Sequence, residues 1–320
     1  MYMESENDDR LTYFYFHPFS TIPEVRLLIF VFFLALFLLS LWVNSAVLLS
    51  VHNEHSLHTP MYFFLSSLAD ITLAMLEMVY SFVLAPLTLA NLVCAKKPSM
   101  SLAGCGTQMF FFIFLGSSDC VLLSVMAYDR YVAICHPLHY STIMSWKVCT
   151  ALVAGTFTMR CLFGKQITIL ILCLPFCGNH EINNFFCDFP AVLKLACGDT
   201  HAHETIFILI CAIVLTIPFL LVSISYIFIL MAILRISTTS GRQRAFSTCS
   251  SHLMVVIMQY SYGGLVYLRP GSSYSAEENQ VVSIFYTFGT PVLNPLMYTM
   301  QNRELKDALT KILRKNLSCK

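Results

Sequence analysis

Leu27-Leu-Ile-Phe-Val-Phe-Phe-Leu-Ala-Leu-Phe-Leu-Leu-Ser-Leu-Trp-Val-Asn-Ser-Ala-Val-Leu-Leu-Ser50 runs without one charged side chain. A helix rises about 1.5 Å per residue and the hydrocarbon layer is about 30 Å thick, so roughly 20 apolar residues in a row read as a membrane span. The stretch follows a polar, acidic segment with no basic n-region and no small-residue cleavage site, which marks it as a retained span and not a removable signal. Six more such stretches follow, at 61–84, 105–127, 148–174, 206–234, 246–268 and 281–300. Seven spans make an all-α membrane bundle, with the two ends of the chain on opposite sides. The expected organisation is an extracellular segment at 1–26, a bundle at 27–301 and a tail at 302–320.

Composition agrees with that reading. Apolar residues make up 57% of the 320 residues and charged ones 12%, with a mean hydropathy of +0.70. A soluble domain carries about 25% charged residues to coat its surface. Net charge is +1, and no basic block occurs outside the tail, which argues against nucleic acid. With the N-terminus outside, Arg130, Lys147, Arg235, Arg242, Arg244 and the basic residues after Gln301 fall on the inner side. Fewer fall outside: Arg10, Arg26, Lys96, Lys97, Lys194 and Arg269. The bias predicts N-terminus out and C-terminus in.

The thirteen cysteines divide by side. Cys105, Cys177, Cys187 and Cys197 fall on the outer side, where bridges persist, and sequence alone allows three pairings among them. Isolated acids stand in apolar spans at Asp70, Glu77 and Asp119. An ionised carboxylate at the bilayer centre costs about 2.5–3.5 kcal/mol on insertion scales, so such groups are expected to face the bundle and share partners, a proton or a cation.

Four motifs carry a resemblance. Met126-Ala-Tyr-Asp-Arg-Tyr-Val-Ala-Ile-Cys-His-Pro-Leu-His-Tyr140 follows span three, and Leu57-His-Thr-Pro-Met-Tyr-Phe-Phe-Leu-Ser-Ser-Leu-Ala-Asp70 enters span two. Arg244-Ala-Phe-Ser-Thr-Cys-Ser-Ser-His252 opens span six, and Pro291-Val-Leu-Asn-Pro-Leu-Met-Tyr298 closes span seven. Together, over about residues 27–315, they resemble the vertebrate olfactory receptors of the class II (tetrapod-type) group, within the rhodopsin-like G-protein-coupled receptors.

The resemblance implies a plasma-membrane chemosensor, not an enzyme and without a cofactor. It would take a small volatile or hydrophobic ligand and activate a stimulatory, olfactory-type heterotrimeric G protein, in sensory cilia and surrounded by membrane lipid. Asp129, Arg130 and Tyr131 would form the G-protein switch with Tyr226, His252, Asn294 and Tyr298. Asn44, Asp70 and Asp119 would form a polar core with Asn294, in which Asp70 and Asp119 either hold a sodium ion or share hydrogen bonds. Phe112, Ile113, Gly116, Ser117, Tyr260, Gly264, Tyr267, Ile284 and Thr287 would line the ligand pocket. No acid lies between Gly106 and Ser118, so the expected ligand is neutral. The family pairing would join Cys105 to Cys187 and Cys177 to Cys197, and a short amphipathic helix would follow span seven.

The chain departs from the family pattern in places. No Asn-x-Ser/Thr triplet precedes Leu27, Gln259-Tyr260-Ser261 replaces Phe-Tyr-Gly, Val43-Asn44 replaces Gly-Asn, and Arg160 and Lys165 place charge in span four. Arg160 either snorkels to the lipid surface or turns inward to Glu77 or Asp119. A chemoreceptor of the same fold acting outside olfactory tissue is the nearest alternative. A transporter would favour internal repeats, which are not evident. A retinal pigment would need a lysine in span seven, and there is none between Val281 and Met300. His52, His55 and His58 have suggestive metal-ligand spacing but only Glu54 beside them.

Overall fold

The computed structural model describes residues 13–17, 19–20, 22–53, 68–93, 99–177, 180–235, 238–268 and 281–301. His55, His58 and the expected helix in the tail lie outside these residues, as do the side chains of Asp70 and Tyr298. Seven helical stretches dominate: α1 (Pro23–Asn53), α2 (Leu68–Val93), α3 (Leu102–Cys135), α4 (Trp146–Leu172), α5 (His201–Leu234), α6 (Thr239–Tyr267) and α7 (Thr290–Gln301). A helical turn at 281–284 and a π-helical segment, Phe285–Gly289, lead into α7.

Most helices outrun their apolar stretches, because a helix needs backbone pairing and not apolar side chains to continue into the interface. α2 runs through Pro86 to Val93, past the expected end at Leu84. Proline is tolerated inside membrane helices where neighbours restore the lost pairing.

Four helices are long and apolar enough among the described residues to cross a membrane on composition alone: α1, α2, α3 and α5. α4 falls short because Lys147, Arg160 and Lys165 interrupt it, and α6 because His252, Gln259, Ser261 and its tyrosines dilute the apolar run that follows its polar opening. Packing includes both helices in the bundle all the same. α3 runs through the middle, against α2, α4, α5 and α6, while α1 lies against α2 and α7. The outward face of α5 exposes Leu209, Ile213, Ile217, Leu220, Leu221 and Ile224. An apolar face of that extent suits lipid and not water.

One end of the bundle carries a cap that the sequence pattern did not announce. β1 (Tyr13–Phe16) pairs antiparallel with β2 (Ser99–Ser101) and parallel with β3 (Glu181–Ile182). Successive strand residues point to opposite faces, so Phe14 and Phe16 are fully buried while Tyr13 and Tyr15 are exposed. Phe14 meets Phe176 edge-on at 5.3 Å, which sets the strand over α3 and α4. The strand Tyr13–Phe16 is therefore part of the bundle's lid.

Candidate functional site

Beneath the cap lies a cavity of about 80 Å³ enclosed by α3, α4, α5, α6 and the π-helical segment. Phe112, Ile113, Gly116 and Ser117 of α3 line it, as does Tyr267 of α6. Tyr260, Gly264, Ile284 and Thr287 do not. Tyr260 turns the other way, donating from its hydroxyl to the Cys120 carbonyl at 3.2 Å and packing on Phe219. Thr287 faces a separate small cavity between α1 and α2, Ile284 packs in the aromatic cluster around Phe33, and Gly264 has no atom near its missing Cβ. The reason is helical phase: the lining face of α6 carries Gln259, Tyr262, Gly263 and Tyr267, positions spaced by three to four residues.

The wall that sequence reasoning missed is built around Tyr286. The π-helical segment buries Tyr286, Thr287 and Phe288, and π-bulges re-aim side chains in this way, often at functional sites. Tyr286 stacks on Tyr262 with ring centres 3.7 Å apart. Its hydroxyl accepts from the Gln259 amide at 3.0 Å and stands 3.1 Å from where a Cβ on Gly116 would be. Gly116 thus makes room for the tyrosine. The departure at Gln259 is what gives Tyr286 its partner. On the far side, a Cβ on Gly263 would stand 2.7 Å from Leu215, so α5 and α6 close on each other there.

The roof is fixed by the loop between α4 and α5. Cys105 is joined to Cys187 and Cys177 to Cys197, with Cα separations of 5.4 and 5.9 Å. Gln108 accepts from the Cys187 N–H at 2.9 Å, and Phe186 lies 4.7 Å from Phe112, ring centre to ring centre. Asp188 follows directly and caps the short helix Phe189–Leu193, accepting from the Phe189 N–H at 2.9 Å. It is 5% exposed and faces the cavity. Burial pushes its carboxyl up to about 7, against the pull of the Phe189 N–H and the Tyr267 hydroxyl. The expectation of a cavity without an acid looked only at span three; the disulfide brings this one in from the loop. Its position next to Cys187 was the available signal.

Deeper in the bundle, Asn294 donates to the Glu77 carboxylate at 2.6 Å. Asp119 and Glu77 line a space of about 10 Å³ with Tyr80, Leu115, Tyr286 and Thr290. Asn44 lies to one side, donating to the carbonyls of Ser40 and Pro291, both at 2.9 Å. Among the described side chains of α2, Glu77 is the acid that the structure brings to Asn294. Arg160 is 2% exposed and faces inward from α4, its Nε donating to the Thr156 carbonyl and its guanidinium 5.6 Å from the Phe114 ring centre. Its charge is felt by Asp119. Lys165 is exposed, so the two charges of α4 point different ways.

At the opposite end from the cap, the Asp129 carboxylate accepts from the Tyr140 hydroxyl at 2.6 Å. Tyr131 and His136 are hydrogen-bonded at 3.1 Å, and Tyr226 and His252 at 2.8 Å. Arg130 is half-buried, and its charge reaches Tyr226, Cys249 and His252. The structure thus gathers Asp129, Arg130, Tyr131, Tyr226 and His252 at one end, with Asn294 in the polar core between that end and the cavity.

A family model described as olfactory receptor matches residues 33–316. The chain is 55% identical to olfactory receptor 10V1 of Homo sapiens, over 98% of this chain and 100% of that protein. It is 51% identical to the human olfactory receptor 10Q1, over 98% and 97% of the two chains, and 42% identical to the human olfactory receptor 10R2, over 99% and 92%.

Proposed function

The chain belongs to the olfactory receptor family, and from that premise we propose how its cavity, polar core and switch residues divide the work. It is a multi-pass membrane protein and an odorant-sensing G-protein-coupled receptor, not an enzyme. The ligand enters the cavity lined by Phe112, Ile113, Gly116, Ser117 and Tyr267, under a roof that faces the outside. The opposite end, with Arg130, faces the cytoplasm and meets a stimulatory, olfactory-type G protein. The supporting charge bias is that of the loops, and the site of action is the membrane of sensory cilia.

One observation carries this reading: a mostly apolar cavity is linked through Tyr286 to the polar core. Tyr286 lines both the cavity and the space shared by Glu77 and Asp119. A ligand that displaces the Tyr286 ring therefore disturbs Gln259 on α6 and the acids of α2 and α3 together. Two discrete arrangements of such packed groups are what transmit binding across a bundle.

A sodium ion in the core would rest on Asp119 and Glu77, since hard cations prefer oxygen donors and the space holds about one water-sized particle. There it would neutralise the acids and hold α2 to α3. Arg160 already supplies a fixed positive charge on the Asp119 side.

Arg130→Ala tests the proposal. The variant should reach the cell surface and lose ligand-driven cAMP production. A normal cAMP response from surface-expressed Arg130→Ala overturns the assignment of the switch.

A further inference from the structure

The main cavity is apolar except at its roof. There Asp188 faces Tyr262 and Tyr267, whose hydroxyls are buried and make no hydrogen bond of good geometry. The ring centres of the two tyrosines are 6.0 Å apart, edge to face. Buried hydroxyls without partners are uncommon in folded proteins, and both tyrosines line the cavity beside Asp188. Asp188 has one hydrogen bond of good geometry among the described residues, from the Phe189 N–H. A carboxylate accepts at two oxygens, so beyond the Phe189 N–H and the nearby Tyr267 hydroxyl it can accept further donors.

We propose that this end of the cavity binds small aliphatic amines, the protonated amine donating to Asp188 and to the tyrosine hydroxyls while its alkyl chain lies against Phe112, Ile113 and Val214. The inference rests on the reading of the cavity as the ligand site and names the ligand class. A carboxylate in an apolar enclosure asks for a cation that also donates hydrogen bonds, and an alkylammonium does both. No cation of the chain meets this need among the described residues. The groups acting on Asp188 are Tyr267 and the Phe189 N–H, while Tyr262 on α6 and Cys211 on α5 feel its charge. Burial lifts the carboxyl to about 7, so near neutral pH the empty site is part protonated, and the positive charge of a bound ammonium draws Asp188 into its ionised form. The size of the cavity narrows the class further. At about 80 Å³ it is roughly half of the ~150 Å³ that accommodates benzene, which suits a chain of a few carbons.

The test uses the full-length receptor, expressed in cells with a G protein that raises cAMP. n-Butylamine, 1-butanol and butanal are compared on wild type, Asp188→Asn and Tyr267→Phe, with surface labelling of each. The Asp188→Asn side chain would retain an acceptor for the Phe189 N–H. Wild type should respond to n-butylamine at a concentration about tenfold or more below that for 1-butanol, the scale of one charge-assisted hydrogen bond. Asp188→Asn should erase that preference by lowering the amine response far more than the alcohol response, and Tyr267→Phe should narrow the preference several-fold. Equal potency of amine and alcohol on wild type overturns the proposal, as does an amine preference that survives Asp188→Asn. If Asp188→Asn fails to reach the surface, Tyr267→Phe decides: an unchanged amine preference overturns it. A response to 1-butanol alone sinks the amine assignment but keeps the receptor reading. Silence to all three in a surface-labelled receptor with Arg130-dependent basal cAMP also sinks the amine assignment and leaves the coupling intact.

Discussion

The side-chain amide of Asn294 donates to the Glu77 carboxylate at 2.6 Å and so ties α7 to α2 in the interior of the bundle. The bond crosses the chain from its second helix to its last, and nothing near either residue in sequence announces it. Glu77 also shares a small space with Asp119, so one acid serves as a hinge partner and as half of a carboxylate pair.

Glu77→Ala should therefore lower thermal stability more than a typical surface change, by about 1–3 kcal/mol for a buried donor left without its acceptor. Glu77→Gln, which preserves an acceptor oxygen, should retain much of that stability. Unfolding of the purified receptor, followed by fluorescence, measures both. Equal stability of Glu77→Ala and wild type would show that the Asn294 bond contributes nothing.

Arg160→Gly tests the inward orientation. Arg160 lies on the buried face of α4 with Gly164, whose missing side chain lets α4 close on Phe110 of α3. Removing the guanidinium takes away the positive charge that Asp119 feels and the donor to the Thr156 carbonyl, a loss of about 1–3 kcal/mol for a buried group left without its partner. Surface expression should fall, and Asp119→Asn in the same chain should restore part of it. A rise in expression from Arg160→Gly alone would mean that the arginine is an uncompensated charge.

Asp188 makes stability depend on pH in a stated direction. Its carboxyl is raised by burial to about 7, so ionising it costs more in the folded chain than in the unfolded one. The contribution of this group is greatest below the ordinary carboxylate range, about 4, declines as pH rises towards 7 and is flat above that. Asp188→Asn should remove the slope, leaving the variant more stable than wild type near about pH 8 and similar near about pH 4. Melting curves of wild type and variant across that range give the comparison; parallel curves would rule out a raised carboxyl.

Peptide mapping without reduction should recover Cys105 linked to Cys187 and Cys177 linked to Cys197. A link between Cys177 and Cys187 would dismantle the roof described here, because Asp188 is held over the cavity by the bridge from Cys187 to α3.

Gly263→Ala probes the contact between α5 and α6. The new Cβ would stand 2.7 Å from a Leu215 methyl that lines the cavity, so leucine must swing aside. Overpacking of this kind costs about 1–3 kcal/mol, and the displaced leucine should reduce the room for a ligand. Concentration–response curves should shift to higher ligand concentration while surface expression falls modestly. An unshifted curve would place the ligand elsewhere.

The amino-acid sequence by itself determined that the chain is a membrane bundle, because apolar runs long enough to cross the hydrocarbon layer admit few other structures. It also marked the Asp129-Arg130-Tyr131 turn and the outer cysteines, since both are local in sequence. Tertiary structure alone decided which side chains meet. Glu77 and Asn294 lie more than two hundred residues apart, so no local pattern could say that the two meet. Tyr260 and Tyr262 differ by two residues, about 200° around the axis at 3.6 residues per turn, and only the packing of α6 against α5 and α7 chose which faces the cavity. Asp188 lies far in sequence from α3 and α6, which it meets across the cavity, and the bridge from Cys187 brings it there. Arg160 could turn to lipid or inward; the close approach of α4 to α3 at Gly164 leaves it facing the acids, because a guanidinium in the bundle finds opposite charge and the lipid offers none.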